Sequence, residues 1–292
     1  MSEYPLIKSS HAGLNYFKIG TGTPLLLIHG TPGDGRQMLQ EFGWLADEGF
    51  QLVAPCRPGY FGTALSLGKS MEAQAECMAT LMDHLGFDHY GVLAWSGGGP
   101  AAIYLAQSYP LAVRALVLQS CVMMPCVSSS EERKMMWVLS RPLLSRLLKL
   151  MAVVRPNKLF ENMIVSDLGC SNSEVKLIAK QLLERDSRLL QYAKKMFTDL
   201  VPHSNHKIGY QNDSKIFSDL APLPLSELKM PCLISYGLKD KMLTREHAVL
   251  ANKEIPNSVL LEYENMGHMP KLSLQYVELK QKLLDFLNAH VN

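Results

Sequence analysis

The stretch Val92-Leu93-Ala94-Trp95-Ser96-Gly97-Gly98-Gly99-Pro100 decides the fold. Residues 90–94 form a short run without a charged side chain, as a strand buried on both faces of a sheet requires. Gly97-Gly98-Gly99-Pro100 then opens the apolar helical run at residues 101–107. Small residues stand two before and two after Ser96, at Ala94 and Gly98, so a strand and a helix can close on each other across a strained turn. Such a turn pushes the Ser96 hydroxyl out above the sheet, and the helix N-terminus behind it favours developing negative charge. Taken alone, the segment also fits a serine that caps a helix in a glycine-rich turn. A phosphate or dinucleotide loop fits poorly, because the consecutive glycines match neither G-x-G-x-x-G nor G-x-x-x-x-G-K-[ST].

Outward from this turn, the first third of the chain alternates strand and helix signals. Residues 14–19, 25–28, 51–54 and 113–118 read as strands, and residues 70–85 as a helix capped by Ser70 with Met71, Ala75, Met78, Leu81, Met82 and Leu85 along one side. From residue 122 to 225 the rhythm changes to helical segments, the best of them at 131–150, 173–184 and 189–200. Past Pro222 and Pro224 the alternation returns, with strands at 232–236 and 259–263 and helices at 244–252 and 272–289. Strands alternating with helices predict an α/β fold with a mostly parallel central sheet covered by helices on both faces. The predicted core is residues 1–121 and 226–292, and residues 122–225 are an inserted helical lid.

The run at residues 25–28 leads straight into His29-Gly30-Thr31-Pro32-Gly33, a loop able to turn a backbone N–H toward a nucleophile. Asp240 follows the strand at 232–236 and His268 follows the strand at 259–263, so both stand at carboxyl ends of strands, where open α/β sheets place their chemistry. Asp219 and Glu227 precede the strand and would sit at its wrong end. Asp240 could equally be a turn residue, and loop histidines are common. His84, His89 and His290 lack the context, whereas His203 and His206 could face a pocket from the insertion.

His29-Gly30-Thr31-Pro32-Gly33, Arg57-Pro58-Gly59-Tyr60, Trp95-Ser96-Gly97-Gly98-Gly99, Gly237-Leu238-Lys239-Asp240 and Gly267-His268 occur in the order of the α/β-hydrolase superfamily. The chain resembles its lidded branch, which includes esterases, lactonases, prolyl aminopeptidases and carbon–carbon bond hydrolases. The resemblance covers nearly everything outside residues 122–225. It implies a Ser96–His268–Asp240 triad forming an acyl-enzyme, and an oxyanion hole of the Thr31 and Gly97 amides; Pro32 has no N–H to offer. It implies no cofactor and no metal, and a small carbonyl substrate as the partner. His29 would hold the loop shape. Two departures stand out: Ala94 replaces the first elbow glycine, and Cys56 stands where these sequences often carry Asp. Trp95, Met123, Met124 and Trp137 are candidate substrate contacts, with Met135, Met136 and Met163 as further candidates that would serve equally as core. Esterase-like hydrolysis is favoured over an aminopeptidase, since Thr31 replaces that family's second loop glycine and a bound α-ammonium group needs paired carboxylates. A carbon–carbon bond hydrolase and a non-catalytic receptor stay open; a haloalkane dehalogenase would need Asp at position 96.

Composition sets the remaining bounds. The 292 residues are 47% apolar and 19% charged with a net charge of +2, ordinary for a globular chain and no argument for nucleic acid. Residues 122–225 carry 15 Lys and Arg against 10 Asp and Glu, which suits either a solvated surface or an anionic substrate. The most apolar stretch, residues 142–154, is cut by Arg146 and Lys149, so no membrane span is expected. The start lacks a signal-peptide pattern. The six cysteines form no C-x-x-C pair, which fits reduced thiols and a cytoplasmic protein.

Overall fold

The computed structural model describes residues 5–9, 13–128, 130–139, 141–200 and 205–291. Its centre is an eight-stranded sheet, built from β1 (Ile7–Lys8), β2 (Asn15–Ile19), β3 (Thr23–Ile28), β4 (Phe50–Pro55), β5 (Tyr90–Trp95), β6 (Val113–Gln119), β7 (Cys232–Gly237) and β8 (Ser258–Tyr263). The spatial order is β1-β2-β4-β3-β5-β6-β7-β8. From β4 to β8 every pairing is parallel, and β2, antiparallel to both β1 and β4, is the one strand that runs against the others.

Alternation along the strands explains the continuous apolar runs. Leu26 and Ile28 of β3, Val92 and Ala94 of β5, and Leu116 and Leu118 of β6 join one buried cluster with α2 (Met71–His84), α3 (Gly99–Ser108) and α10 (Arg245–Glu254). Leu25, Leu27, Leu93, Trp95 and Val117 point the other way, toward α1 (Gly35–Phe42) and α11 (Tyr276–His290). A strand covered on both faces has no side to leave polar.

Between β6 and β7 the described residues form the α-helices α4 (Ser130–Leu139), α5 (Pro142–Val154), α6 (Pro156–Leu168), α7 (Asn172–Arg185), α8 (Leu189–Asp199) and α9 (Lys207–Ser218). Apolar residues of α6, α7 and α8 complete the second cluster, so this part of the insertion packs into the core. The single helix expected over 131–150 is instead two, because Pro142 cannot continue α4 and starts α5 at its first turn. The sequence reading also passed over α1. Asp34 caps it by accepting the Arg36 amide at 2.9 Å, but only Met38, Leu39 and Phe42 mark its apolar side.

Candidate active site

β5 ends at Trp95, and the next residue, Ser96, has φ of +54°, a conformation non-glycine residues seldom adopt. Holding it costs roughly 1–3 kcal/mol, so the surroundings must enforce it. They do so by close approach. A methyl on Gly98 would lie 2.6 Å from the Ile28 carbonyl oxygen and 2.8 Å from that of His29, which is why the residue two after Ser96 has no side chain. Ala94, the departure before the serine, is fully buried and tolerated. A methyl on Gly30 would sit 2.8 Å from Ser96 Cβ, so the loop after β3 passes directly over the serine.

The loops after β7 and β8 bring the other two residues together. The His268 Nδ1–H donates to Asp240 Oδ2 at 2.7 Å. Asp240 Oδ1 accepts the amides of Met242 and Leu243 at 2.8 and 3.1 Å. Burial would push the Asp240 carboxyl up, but the His268 charge and these three hydrogen bonds outweigh it and hold it below its usual range. His268 is fixed from two further sides: the Trp95 indole N–H donates to its carbonyl at 3.1 Å, and the two rings stack with centroids 5.8 Å apart. Ser96, His268, Trp95, Gly30 and Thr31 line one cavity of about 240 Å³, walled by apolar groups including Met163, Met196 and Met269. Thr31, Ser96 and Gly97 also line a narrow slot of about 50 Å³ next to it.

A second carboxyl lies beside the histidine. Asp167, at the end of α6, accepts the Met269 amide at 3.0 Å through Oδ1, while its buried Oδ2 has no hydrogen-bond partner. Burial pushes this acid up to about 7, with the charge of His268 pulling the other way. Asp240 accepts two amides and the imidazole N–H, whereas Asp167 accepts only backbone amides through a more deeply buried carboxyl, so Asp240 is the one that ionises readily. Nothing in the spacing of the sequence marks Asp167; it comes to His268 only through the packing of α6.

The loop over Ser96 is held by a buried charge. The Arg57 guanidinium is fully buried and donates to the carbonyls of His29 (2.9 Å) and Gly30 (3.1 Å), to Gln74 Oε1 (3.1 Å), and to Thr31 Oγ1 (2.8 Å). Its counter-charge is Asp213 of α9, equally buried, at 2.7 Å. The same Asp213 oxygen accepts the hydroxyls of Tyr60, at 2.6 Å, and Thr31. His29 has the structural place expected of it: its Nδ1–H donates to the Gly30 carbonyl at 2.7 Å and its Nε2 accepts the Arg57 amide at 2.9 Å. Burial holds its pKa well below the ordinary value, so it stays neutral. Cys56 is buried one residue before Arg57, and burial pushes its thiol up.

The expected substrate contacts divide. Trp95 and Met163 line the cavity at Ser96. Trp137 lines a different, wider cavity of about 460 Å³ with Arg133, Met136 and Lys207. Met123 does not reach the cavity: it packs in the core against Gly99, and its amide donates to His247 Nδ1 at 3.0 Å. Met124 is half-buried and lines neither cavity. The Met135 side chain and His203 lie outside the described residues. His206 is turned away from the cavity and bonds Asp34 at 2.9 Å. Glu227 accepts a hydrogen bond from Gln107, at the end of α3, at 2.9 Å. Among the described residues no group of three His, Cys, Asp or Glu side chains could hold a metal ion.

The sequence profile of the family described as alpha/beta hydrolase fold matches residues 23–273. The chain is 28% identical over 282 residues to the uncharacterized hydrolase YcgS of Bacillus subtilis, covering 94% of this chain and 95% of that one. A proline iminopeptidase of Clostridioides difficile is 24% identical over 286 residues, covering 92% and 89%. Among solved structures, an alpha/beta hydrolase fold protein from Nakamurella multipartita superposes with a TM-score of 0.88 at 29% identity, covering 98% of this chain and 99% of that one.

Proposed function

The chain belongs to the alpha/beta hydrolase fold family, and from that premise we propose that it is a serine hydrolase cleaving an ester-like carbonyl substrate through Ser96, His268 and Asp240. The observation that carries this reading is the 2.7 Å contact of Asp240 with His268 Nδ1, which turns the imidazole into a cavity that Ser96 shares. His268 takes the Ser96 proton as the serine oxygen attacks the carbonyl carbon, and Asp240 holds the tautomer and stabilises the imidazolium. The Thr31 and Gly97 amides receive the oxyanion; losing one such donor costs roughly 100- to 1000-fold in rate. His268 then returns the proton to the leaving group, and water releases the acyl group by the reverse sequence. The apolar walls of the cavity suit a small or medium hydrocarbon group. Residues 122–225 act as the lid, residues 1–121 and 226–292 as the catalytic core, and the six free cysteines suit a reducing compartment such as the cytoplasm.

An ester is favoured over an N-terminal amide. A bound α-ammonium group needs paired carboxylates, and among the described residues that line the cavity at Ser96 the one acid is Asp167. The free oxygen of Asp167 is buried rather than open to a ligand. The test is a fluorophosphonate probe followed by a comparison of a short-chain p-nitrophenyl ester with proline p-nitroanilide. Labelling at Ser96 with ester turnover is expected; labelling with arylamide turnover alone would reverse the substrate class, and no labelling would remove the triad.

A further inference from the structure

Helix α5 (Pro142–Val154) is packed the opposite way round from an ordinary amphipathic helix. Its buried positions are Ser145 and Ala152, at 4% and 3% exposure, with Leu148 half-buried between them. On the opposite side, Leu143, Leu147, Leu150 and Val154 recur at the spacing of one helical stripe and are 79%, 54%, 59% and 66% exposed. Met151 widens the stripe. A folded chain shows scattered apolar residues without needing a reason, but a continuous leucine stripe on a single helix marks a contact surface.

The charges around the stripe say what it contacts. Arg146 and Lys149 flank it on the helix, Arg141 and Arg155 adjoin the two ends, all four are exposed, and residues 141–155 contain no acid. Trp137, half exposed, stands at the border, with the Arg141 guanidinium 4.6 Å above its ring. Apolar stripe, cationic flank and bordering Trp are the parts of a helix that lies in the headgroup region of a bilayer. A second copy of the chain fits less well. A two-fold contact through α5 would set the Arg146 and Lys149 of each copy beside the same residues of the other, with no acid on either helix to pair them.

We propose that the outer face of α5 docks the protein on an anionic lipid surface, with Leu143, Leu147, Leu150 and Val154 entering the acyl boundary and the flanking cations meeting the headgroups. The attachment is peripheral: no described helix is long and apolar enough to cross a membrane. The location fits access to the site. The cavity lined by Trp137 shares Val127, Ser128 and Ser214 with the slot at Ser96, so the docked face lies next to an entrance. Docking stands on α5 alone and is independent of the triad.

The experiment is co-sedimentation of the full chain with vesicles of phosphatidylglycerol and phosphatidylcholine, beside sedimentation velocity without lipid. Binding to phosphatidylglycerol vesicles that weakens with added salt is expected, from a protein that is monomeric without lipid. Leu147→Asp with Leu150→Asp should weaken binding at least tenfold with an unchanged circular dichroism spectrum, since both side chains already face water. Arg146→Gln and Lys149→Gln should each weaken binding to the anionic vesicles by about fivefold and leave the phosphatidylcholine result unchanged. Undiminished binding in the double Asp variant, or no binding by the wild type at millimolar lipid, would overturn the proposal. So would a dimer that the same variant dissolves, because the face would then belong to a second copy.

Discussion

Replacing Asp213 by Ala tests whether the buried Arg57–Asp213 pair holds the loop over the nucleophile. Both side chains are at 0% exposure and 2.7 Å apart. Removing one partner of such a pair typically costs 3–5 kcal/mol, because the other is left as an uncompensated buried charge. Arg57 would keep its bonds to His29, Gly30, Gln74 and Thr31, which are neutral acceptors and soften the loss. Tyr60 and Thr31 would each lose the acceptor of a hydroxyl, which adds to it. These opposing corrections leave an expected destabilisation of about 3–4 kcal/mol, or a fall in melting temperature of roughly 5–7 °C for a chain of this size. The activity effect follows from Thr31: with its hydroxyl released, the loop over Ser96 loosens and fluorophosphonate labelling should slow at least about tenfold. Urea unfolding and labelling of the same preparations give both quantities. Arg57→Met with Asp213→Leu should recover most of the stability but not the labelling rate, since the charge is gone and the loop bonds are gone with it. A loss below about 1 kcal/mol for Asp213→Ala, or full labelling in the double variant, would refute the argument.

Ser96→Ala should abolish labelling and turnover with the melting temperature nearly unchanged; residual turnover above about a thousandth of wild type would remove Ser96 as nucleophile. Asp240→Asn should lower kcat by about 10⁴-fold, by the same loss of tautomer control as in other triads, while Glu227→Gln stays near wild type in the same assay. Asp167 yields a pH-dependent outcome. Its pKa is raised from the ordinary carboxylate value to about 7, so the stability it contributes is complete below about pH 4 and is lost as pH rises through 7. Asp167→Asn cannot ionise, so its stability relative to wild type should grow between pH 4 and pH 8, by up to about 4 kcal/mol; a difference that stays flat in urea titrations across that range would contradict the assignment.

The parts of the site that were legible from sequence share one property: each follows directly on a strand with a short apolar signature. Ser96 follows β5, His29-Gly30-Thr31 follows β3, and Asp240 and His268 stand beyond β7 and β8; local pattern and the rule of carboxyl ends made them candidates, and the resemblance to the α/β-hydrolase order joined them. What was missed is joined over long stretches of chain. Thr31 meets Asp213 across 182 residues and Met269 meets Asp167 across 102, and neither aspartate sits in a motif. Their neighbours in sequence are ordinary helix residues, and only the packing of α6 and α9 decides where they point. Met123, a candidate pocket contact by its residue type, lies instead in the core, with its side chain against Gly99 at the start of α3.

The same long-range contacts explain why the charge of residues 122–225 misleads as a whole. Counted in sequence, the segment is basic, but many of its cations face water while three of its acids turn inward. Arg133, Lys134, Arg141, Arg146, Lys149 and Arg155 are exposed, whereas Asp167, Asp199 and Asp213 turn inward. Each of these three acids takes hold of a different loop or helix of the sheet domain: Asp167 the Met269 amide beside His268, Asp199 the Arg36 guanidinium at 2.9 Å, and Asp213 the Arg57 guanidinium. They come from α6, α8 and α9, and no such tie is found on α5 among the described residues. The count over the whole segment therefore mixes exposed cations with acids that are used inside. It carries no information about charge in the cavity at Ser96, whose lining holds Lys241 and Asp167 in equal number. The insertion thus divides along its length: α6 and α9 hold loops beside the proposed triad and α8 holds α1, whereas α5 presents its leucines and cations to the surroundings.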